Sequence, residues 1–161
     1  PGPAVLERWR TAAAAMRQAL AAGDPSRRVQ WVAGEMAAQT LATTRLSECW
    51  IHTGDVAEAL GLNLAPSLRL WHIARLAWRT LPYAFARADR SLTGPVAVSL
   101  VAPDSTMWDF HDEGVDPLTR VAGPALDFCL VAGRRREPSQ TELTATGPDA
   151  DAVLSLVRTY A

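Results

Sequence analysis

Four ionisable side chains recur along one side of a predicted helix that spans residues 37–60. At roughly 100° per residue they fall within an arc of about 80°, and we call them the polar stripe: Arg45, Glu48, His52 and Asp55. The adjoining edge, the apolar flank, is formed by Leu41, Cys49, Val56 and Leu60. Charged groups on a largely apolar helix need partners. We therefore expect the polar stripe to face inward and to carry the chemistry of the protein.

Glu48 and His52 stand one helical turn apart, at positions i and i+4. At this spacing a carboxylate oxygen and an imidazole nitrogen can bind one divalent metal ion. The same spacing also occurs in ordinary ion pairs on helix surfaces. The spacing alone leaves both interpretations open.

The stretch 44–61, TRLSECWIHTGDVAEALG, resembles the R-x-x-E-x-W-x-H-G-x-D-[VI]-A-x-A-L-G signature of the mycothiol-dependent maleylpyruvate isomerase family, in the DinB-like superfamily. Four later segments are similar, in the same order, to the actinobacterial metal-binding branch of that family: 82–86, 93–96, 123–130 and 144–150. The likeness covers nearly the whole chain. It implies a helical DinB-like domain followed by a smaller domain.

The resemblance also implies a metal centre. Family members hold a metal ion, usually zinc, by a Glu and a His of this motif together with a His from an earlier helix, so Glu48 and His52 are the expected ligands. The helices that supply that first His have no counterpart ahead of Pro1, and we expect the helical domain to be N-terminally incomplete. The resemblance gives His72 and His111 no ligand role.

Three further residues are candidates for the chemistry. Arg45 is expected to orient Glu48, and Asp55 to orient His52 or to act beside it. In the family an arginine of the second domain helps to bind the acidic substrate or the thiol cofactor. Arg134, the first arginine after the helix predicted at 123–132, is our candidate for that role, because a guanidinium matches a carboxylate.

Two classes of function follow from these features. The first is a metal-dependent isomerase or transferase that uses mycothiol or another low-molecular-weight thiol on a small acidic or electrophilic substrate. The metal would polarise a carbonyl or lower the pKa of the bound thiol. The second is a metal-free relative that binds an apolar metabolite, as a binding protein or as a cyclase of specialised metabolism. The intact motif favours the first class, and the missing third ligand favours the second.

The composition excludes other classes. A net charge of −1, with Arg134 to Arg136 as the one basic cluster, argues against nucleic-acid binding. No apolar run approaches the length of a membrane helix, and no signal peptide is recognisable. We expect a cytoplasmic protein that acts on a small molecule.

The fold class predicted is α+β. Helical periodicity dominates residues 1–90, whereas residues 91–161 mix strands and helices, which predicts a helical domain with its metal-site helix at 37–60 and a small α+β domain. Predicted helices are 3–22, 37–60, 67–88 with a kink or a restart at Pro82, 123–132 and 148–159. Predicted strands are 96–100, 107–110 and 141–146. The segment 28–36 is expected to be irregular.

Two expectations concern surfaces. Cys49 and Cys129 belong to no metal-binding spacing, and we interpret both as buried free thiols. Without further helices the apolar flank would face water, which a monomer rarely tolerates. We expect a second copy, a separate chain or an N-terminal segment to cover it.

Overall fold

A computed structural model describes residues 2–31 and 34–159 of the chain. Contacts within it divide the chain into two compact units, residues 1–45 and 46–161, and each is described by itself. The long helix α2 (Ala38–Ala59) passes from the first unit into the second. It confirms the helix predicted at 37–60.

The first unit contains a helix and a hairpin. Helix α1 (Gly2–Ala22) confirms the first predicted helix, and none of its described residues is buried. Strands β1 (Arg28–Trp31) and β2 (Gly34–Ala37) pair antiparallel, from Arg28 opposite Ala37 to Trp31 opposite Gly34. The expectation of an irregular segment at 28–36 is therefore wrong. Val29 and Trp31 alternate with exposed residues in the period of two that suits a strand.

The second unit is mixed. After the part of α2 from residue 46 onwards it contains, in chain order, α3 (Leu70–Arg79), α4 (Leu81–Ala86), β3 (Val96–Val101), β4 (Met107–Phe110), β5 (Thr119–Pro124), α5 (Ala125–Ala132), a single 3₁₀ turn (Pro138–Gln140), β6 (Thr144–Thr146) and α6 (Ala150–Leu156). The α+β class with its helical part first is confirmed.

The helix predicted at 67–88 is two helices. Pro82 has no N–H to donate to the carbonyl of residue 78, so the helical hydrogen-bond pattern is interrupted there. Thr80 lies at the junction, where it is both the C-cap residue of α3 and the N-cap residue of α4. The kink or restart predicted at Pro82 is thus confirmed, because one helix ends there and another begins.

Four strands form one sheet in the order β4-β3-β5-β6. Strand β3 pairs antiparallel with β4 and parallel with β5, so that Val98 lies between Phe110 and Val121, while β5 pairs antiparallel with β6. The predicted hairpin of β3 and β4 is confirmed. Strand β5 was not predicted, and the strand predicted at 141–146 is confirmed only over residues 144–146.

The core of this unit lies between the sheet and helices α3 to α6. Its largest fully buried side chains are Phe85, Phe128, Leu70, Ile73, Leu81 and Leu100. Helices α3 and α4 thus share a core with the sheet, although they lie before residue 90. The domain boundary at residue 90 stays a prediction.

Helix α6 ends at Leu156, so residues 157–159 are not helical and the final helix is shorter than predicted. Val157 is buried, and the amide of Thr159 donates a hydrogen bond to the carbonyl of Ala132 (3.2 Å). The Thr80 hydroxyl lies 3.1 Å from the carbonyl oxygen of Arg158. This segment therefore joins the end of α5 to the junction of α3 and α4.

Within the part of the chain that the structure describes, no helix combines the length and the apolar character needed to cross a lipid bilayer.

Candidate functional site

Within the second unit, one side of helix α2 is buried and the other side is exposed. Ser47, Ile51 and Ala57 are buried, whereas the side chain of His52 is 66% exposed. The expectation that the polar stripe faces inward is therefore wrong for His52, while Glu48 and Asp55 are partly covered. The small and aliphatic residues between the charged ones are buried instead.

Glu48 and His52 do approach one another. Oε2 of Glu48 lies 3.5 Å from Nε2 of His52, and the Glu48 side chain is mostly covered. A separation of 3.5 Å is long for a hydrogen bond. Two ligands of a tetrahedral zinc ion, at bond lengths of about 2.0–2.2 Å, lie about 3.4 Å apart. The pair therefore fits two adjacent ligand positions on one metal ion.

Asp55 binds the other nitrogen of the same ring. Its Oδ2 lies 3.1 Å from Nδ1 of His52, one turn further along α2. A carboxylate on the second nitrogen is the usual arrangement behind a metal-binding histidine, because it holds the ring and leaves the first nitrogen free to coordinate. The role predicted for Asp55 agrees with this geometry.

A residue outside α2, Arg135, binds the Asp55 carboxylate. Its Nε donates to Oδ1 of Asp55 and its Nη2 donates to Oδ2, both at 2.6 Å. These hydrogen bonds, helped by the one from His52, lower the pKa of the Asp55 carboxyl to about 2. Asp55 therefore stays ionised throughout the neutral range.

The end of helix α5 explains how Arg135 comes to lie there. The amide of Arg135 donates to the carbonyl of Leu130 (2.8 Å), and the amide of Arg134 donates to that of Val131 (2.9 Å). These two bonds form a Schellman motif, which requires a left-handed residue after the helix. Arg134 supplies it with a φ of 59°. The chain thereby reverses direction and directs Arg135 towards α2.

Gly133 allows the two helices to approach closely enough for this contact. A Cβ atom on Gly133 would lie 3.2 Å from Cγ1 of Ile51. Ile51 is buried and adjoins His52 in the sequence. The absence of a side chain at Gly133 thus sets the distance across which Arg135 reaches Asp55.

Arg134, the arginine predicted to bind substrate or thiol, makes no hydrogen bond with Glu48, His52 or Asp55. Its side chain is exposed, and Nη1 donates to the carbonyl of Ser155 (2.8 Å). Its predicted role stays a prediction. Arg135 was not among the predicted residues, because the run of three arginines does not reveal which of them follows the left-handed turn.

Arg45 lies on α2 in the first unit, with its guanidinium carbon 5.8 Å from the centre of the Trp31 ring. This is within the range of a cation–π contact. The contact fixes one end of the Arg45 side chain. The orienting role predicted for it towards Glu48 stays a prediction.

A third metal ligand is not found among the described residues. Across 2–31 and 34–159, no three His, Cys, Asp or Glu side chains are grouped so that they could hold a metal ion. His72 packs edge-on against Trp71, and Nδ1 of His111 lies near the carbonyl of Asp112. The pair therefore fits part of a metal site, and its remaining ligands would come from elsewhere.

The two cysteines differ. Cys129 is fully buried, with Sγ 3.6 Å from the carbonyl oxygen of Leu70, and burial raises the pKa of its thiol far above the ordinary value. Cys49 is exposed on the apolar flank. The interpretation of a buried thiol is confirmed for Cys129 and wrong for Cys49, because this face of α2 has no covering element in the second unit.

Comparison with known proteins supports the family assignment. Residues 1–57 match the family described as the mycothiol maleylpyruvate isomerase N-terminal domain. This stretch includes Glu48, His52 and Asp55. Over residues 1–57 the match supports the family that the motif predicted, while the metal-binding branch of the family stays a prediction.

Two similar proteins come from Mycobacterium tuberculosis, one from strain CDC 1551 / Oshkosh and one from strain H37Rv, and both are described as uncharacterized. Each is 35% identical over 160 residues, which is 98% of this chain and 61% of the relative. The chain thus spans about three fifths of the length of the curated relatives that it matches.

Proposed function

We propose that the protein is a metal- and thiol-dependent isomerase or transferase. The match of residues 1–57 to the mycothiol maleylpyruvate isomerase N-terminal domain supports this proposal. The substrate is a small acidic or electrophilic molecule, and the thiol is mycothiol or a similar low-molecular-weight compound. The observation that carries the proposal is the Glu48–His52 pair, with a spacing that suits two ligands of one metal ion and a carboxylate behind the imidazole.

Each residue of the group has a distinct task. Glu48 and His52 hold the divalent metal ion, and zinc suits this mixed oxygen and nitrogen pair. When bound, the ion supplies Lewis acidity, which polarises a carbonyl oxygen or lowers the pKa of a thiol. Asp55 holds the His52 ring in place. The remaining ligands come from residues other than those described.

The site is open on the side from which a substrate would approach. The His52 ring is mostly exposed, whereas the Glu48 side chain is only 27% exposed. A small thiol and its co-substrate can therefore reach the pair directly. The exposed guanidinium of Arg134 follows the same helix end as Arg135, and we propose that it binds a carboxylate of the substrate or of the thiol.

The apolar flank extends the proposal to partners and location. Cys49, Val56 and Leu60 face solvent in the second unit, and the last two are 60% and 67% exposed. Neighbouring exposed apolar residues are a feature of contact surfaces. We propose that a second copy, a separate chain or an N-terminal segment covers it. Use of a reduced thiol also implies the cytoplasm.

A second candidate is a metal-free relative that binds an apolar metabolite, as a binding protein or a cyclase. The observation that favours it is the lack of a third ligating side chain near Glu48 and His52 among the described residues. An imidazole between two carboxylates is then a charged surface network.

Metal analysis separates the two candidates. Protein purified without chelator, or loaded with zinc and then desalted, is analysed by mass spectrometry for bound metal. We expect bound zinc in the wild type and its loss in the double variant Glu48→Ala, His52→Ala. Equal metal content in both proteins would place the site elsewhere.

The matched control is the double variant Glu58→Ala, His72→Ala. Glu58 lies on the same helix and is exposed like His72, so the substitutions remove the same chemical groups. We expect this variant to retain the metal. A wild type that binds no zinc in any preparation would reject the metalloenzyme and support the second candidate.

A further inference from the structure

We propose that Arg135 is a positioning residue that acts through Asp55: it determines which ring nitrogen of His52 carries the proton, and so presents the unprotonated Nε2 to Glu48. This inference deepens the proposed function and rests on it in one respect: that Nε2 of His52 binds the metal ion. The hydrogen bonds themselves are formed by protein atoms alone.

The first step is that the guanidinium is held in place. The backbone of Arg135 is tied to Leu130 by the Schellman motif. Its Nη1 donates to the carbonyl of Gly133 at 2.9 Å, while Nε and Nη2 face Asp55. Because the fork is planar, contacts on both sides of it fix its orientation.

The second step is that the fork fixes the Asp55 carboxylate. Both oxygens accept a hydrogen bond from Arg135, one each. An aspartate side chain on a helix surface otherwise exchanges among staggered rotamers. Two parallel charge-assisted bonds select one of them. Asp55 is therefore aimed at the His52 ring before any ligand arrives.

The third step concerns the proton. Oδ2 of Asp55 accepts from Arg135 and also lies 3.1 Å from Nδ1 of His52. An ionised carboxylate has no hydrogen to donate, so Nδ1 must carry the proton. In a neutral imidazole the other nitrogen, Nε2, is then the acceptor. Nε2 faces the Glu48 carboxylate across 3.5 Å, which is long for a hydrogen bond, so Glu48 competes less than Asp55 for the proton of the ring.

Arg135 therefore influences the site through Asp55 and not by binding a substrate or a metal ion. An arginine at this place would commonly be taken for a substrate-binding group. Its fork is instead occupied by Asp55 and Gly133. Removing it would free the carboxylate to rotate, and the exposed His52 ring would exchange between both tautomers.

The test uses nitrogen NMR of the metal-free, ¹⁵N-histidine-labelled chain at pH 8, where the shifts of the two ring nitrogens report the tautomer. We expect His52 to carry its proton on Nδ1 in the wild type and to become a mixture of tautomers in Arg135→Met. Arg135→Lys keeps the charge but lacks the fork, and should give an intermediate result. His72 and His111 serve as internal references.

Arg136→Met is the matched control, because it removes the same charge from the neighbouring exposed position. It should leave the His52 tautomer unchanged. An unchanged tautomer in Arg135→Met, or an Nε2-protonated ring in the wild type, would overturn the inference. If Arg135→Met does not fold, Arg135→Lys and Asp55→Asn give the same comparison.

Zinc titration then separates this inference from the proposed function. We expect Arg135→Met to weaken zinc binding by roughly 10- to 100-fold, as loss of such supporting contacts usually does, and Arg136→Met to bind like the wild type. Wild-type protein that binds no zinc rejects the metalloenzyme but leaves the tautomer result to decide the role of Arg135. Zinc binding that is equal in Arg135→Met and the wild type rejects the role of Arg135 and leaves the metal site standing.

Discussion

Arg135 binds Asp55 from a position 80 residues away in the sequence, through two hydrogen bonds of 2.6 Å. The contact joins the end of helix α5 to the exposed side of helix α2. Because Asp55 in turn binds His52, the geometry of the candidate site depends on the packing of these two helices as well as on the motif within α2. Four predictions follow from this dependence and from the surfaces around it.

The first prediction concerns the titration of Asp55. The hydrogen bonds from Arg135 lower the pKa of this carboxyl to about 2 in the folded state, whereas an unfolded chain has a value of about 3.9. In metal-free protein, ¹³C NMR of the Asp55 carboxyl should show a midpoint near 2. In Arg135→Met the midpoint should move up towards the ordinary value.

The sign of the effect on stability follows from this shift. A carboxyl whose pKa is lower in the folded state stabilises the fold above its unfolded pKa, and this contribution is lost as the pH falls from about 4 to about 2. The difference in unfolding midpoint between wild type and Asp55→Asn should shrink over that range. A difference that grows as the pH falls from about 4 to about 2 would contradict the assignment.

The second prediction concerns the contact at Gly133. A Cβ atom there would lie 3.1 Å from the Cys129 carbonyl and 3.2 Å from Cγ1 of Ile51, so we expect α5 to shift by a few tenths of an ångström from the buried Ile51 side chain. Gly133→Ala should destabilise the fold by about 1–2 kcal/mol, as overpacking does. It should also raise the pKa of Asp55, because the helix end that carries Arg135 withdraws.

Gly54→Ala is the control for this substitution. Gly54 lies within α2 and has no atom within 4 Å of its would-be Cβ. Since alanine favours a helix over glycine, this variant should stabilise the fold by up to about 1 kcal/mol. Urea unfolding of both variants measures the two effects, and a stabilised Gly133→Ala would refute the tight contact.

The third prediction separates the two arginines after α5. Arg134 adopts the left-handed conformation that glycine favours, so Arg134→Gly should leave the fold and the zinc content unchanged. If Arg134 binds a carboxylate of the thiol or the substrate, the variant should bind mycothiol at least tenfold more weakly, measured by calorimetry. Equal binding would remove Arg134 from the candidate site.

The fourth prediction concerns the apolar flank and the two thiols. Because Cys49 is exposed and Cys129 is buried, a thiol reagent should modify only Cys49 in the native chain and Cys129 only after unfolding. If a second copy covers the flank, light scattering should show association at high concentration, and labelling of Cys49 should slow as the concentration rises.

Val56→Glu with Leu60→Glu tests the same surface. Both residues are exposed, so the charges should abolish association without unfolding the chain. A wild type that remains monomeric at every concentration, with Cys49 equally reactive throughout, would reject a second copy. A well-folded monomer in which Cys49 is fully protected would reject a partner of any kind.

The sequence was sufficient for the parts of the fold that depend on local pattern. Helix α2 follows from its periodicity, and the break near Pro82 follows from the missing N–H. Strand β5 was missed because Gly123 and Pro124 were interpreted as the start of a helix, whereas its parallel pairing with β3 is a long-range contact. The hairpin at 28–37 was not predicted, because strands of only four residues each are too short to show a clear alternating pattern.

The same distinction applies to the candidate site. Glu48, His52 and Asp55 were predictable because one helix carries all three at fixed spacing. Arg135 was not, since its position depends on a left-handed residue at 134 and on the approach that Gly133 allows. The direction in which α2 faces also depends on which of its sides finds a partner, and a periodic pattern does not specify that.

Residues 157–159, which follow helix α6, influence the candidate site without contacting it. The amide of Thr159 binds the carbonyl of Ala132, the last residue of α5, and Val157 is buried. Replacing Val157 and Thr159 would weaken both contacts and loosen the helix end that carries Arg135. Two residues far from the motif in sequence thus help to keep the His52 imidazole beside Glu48.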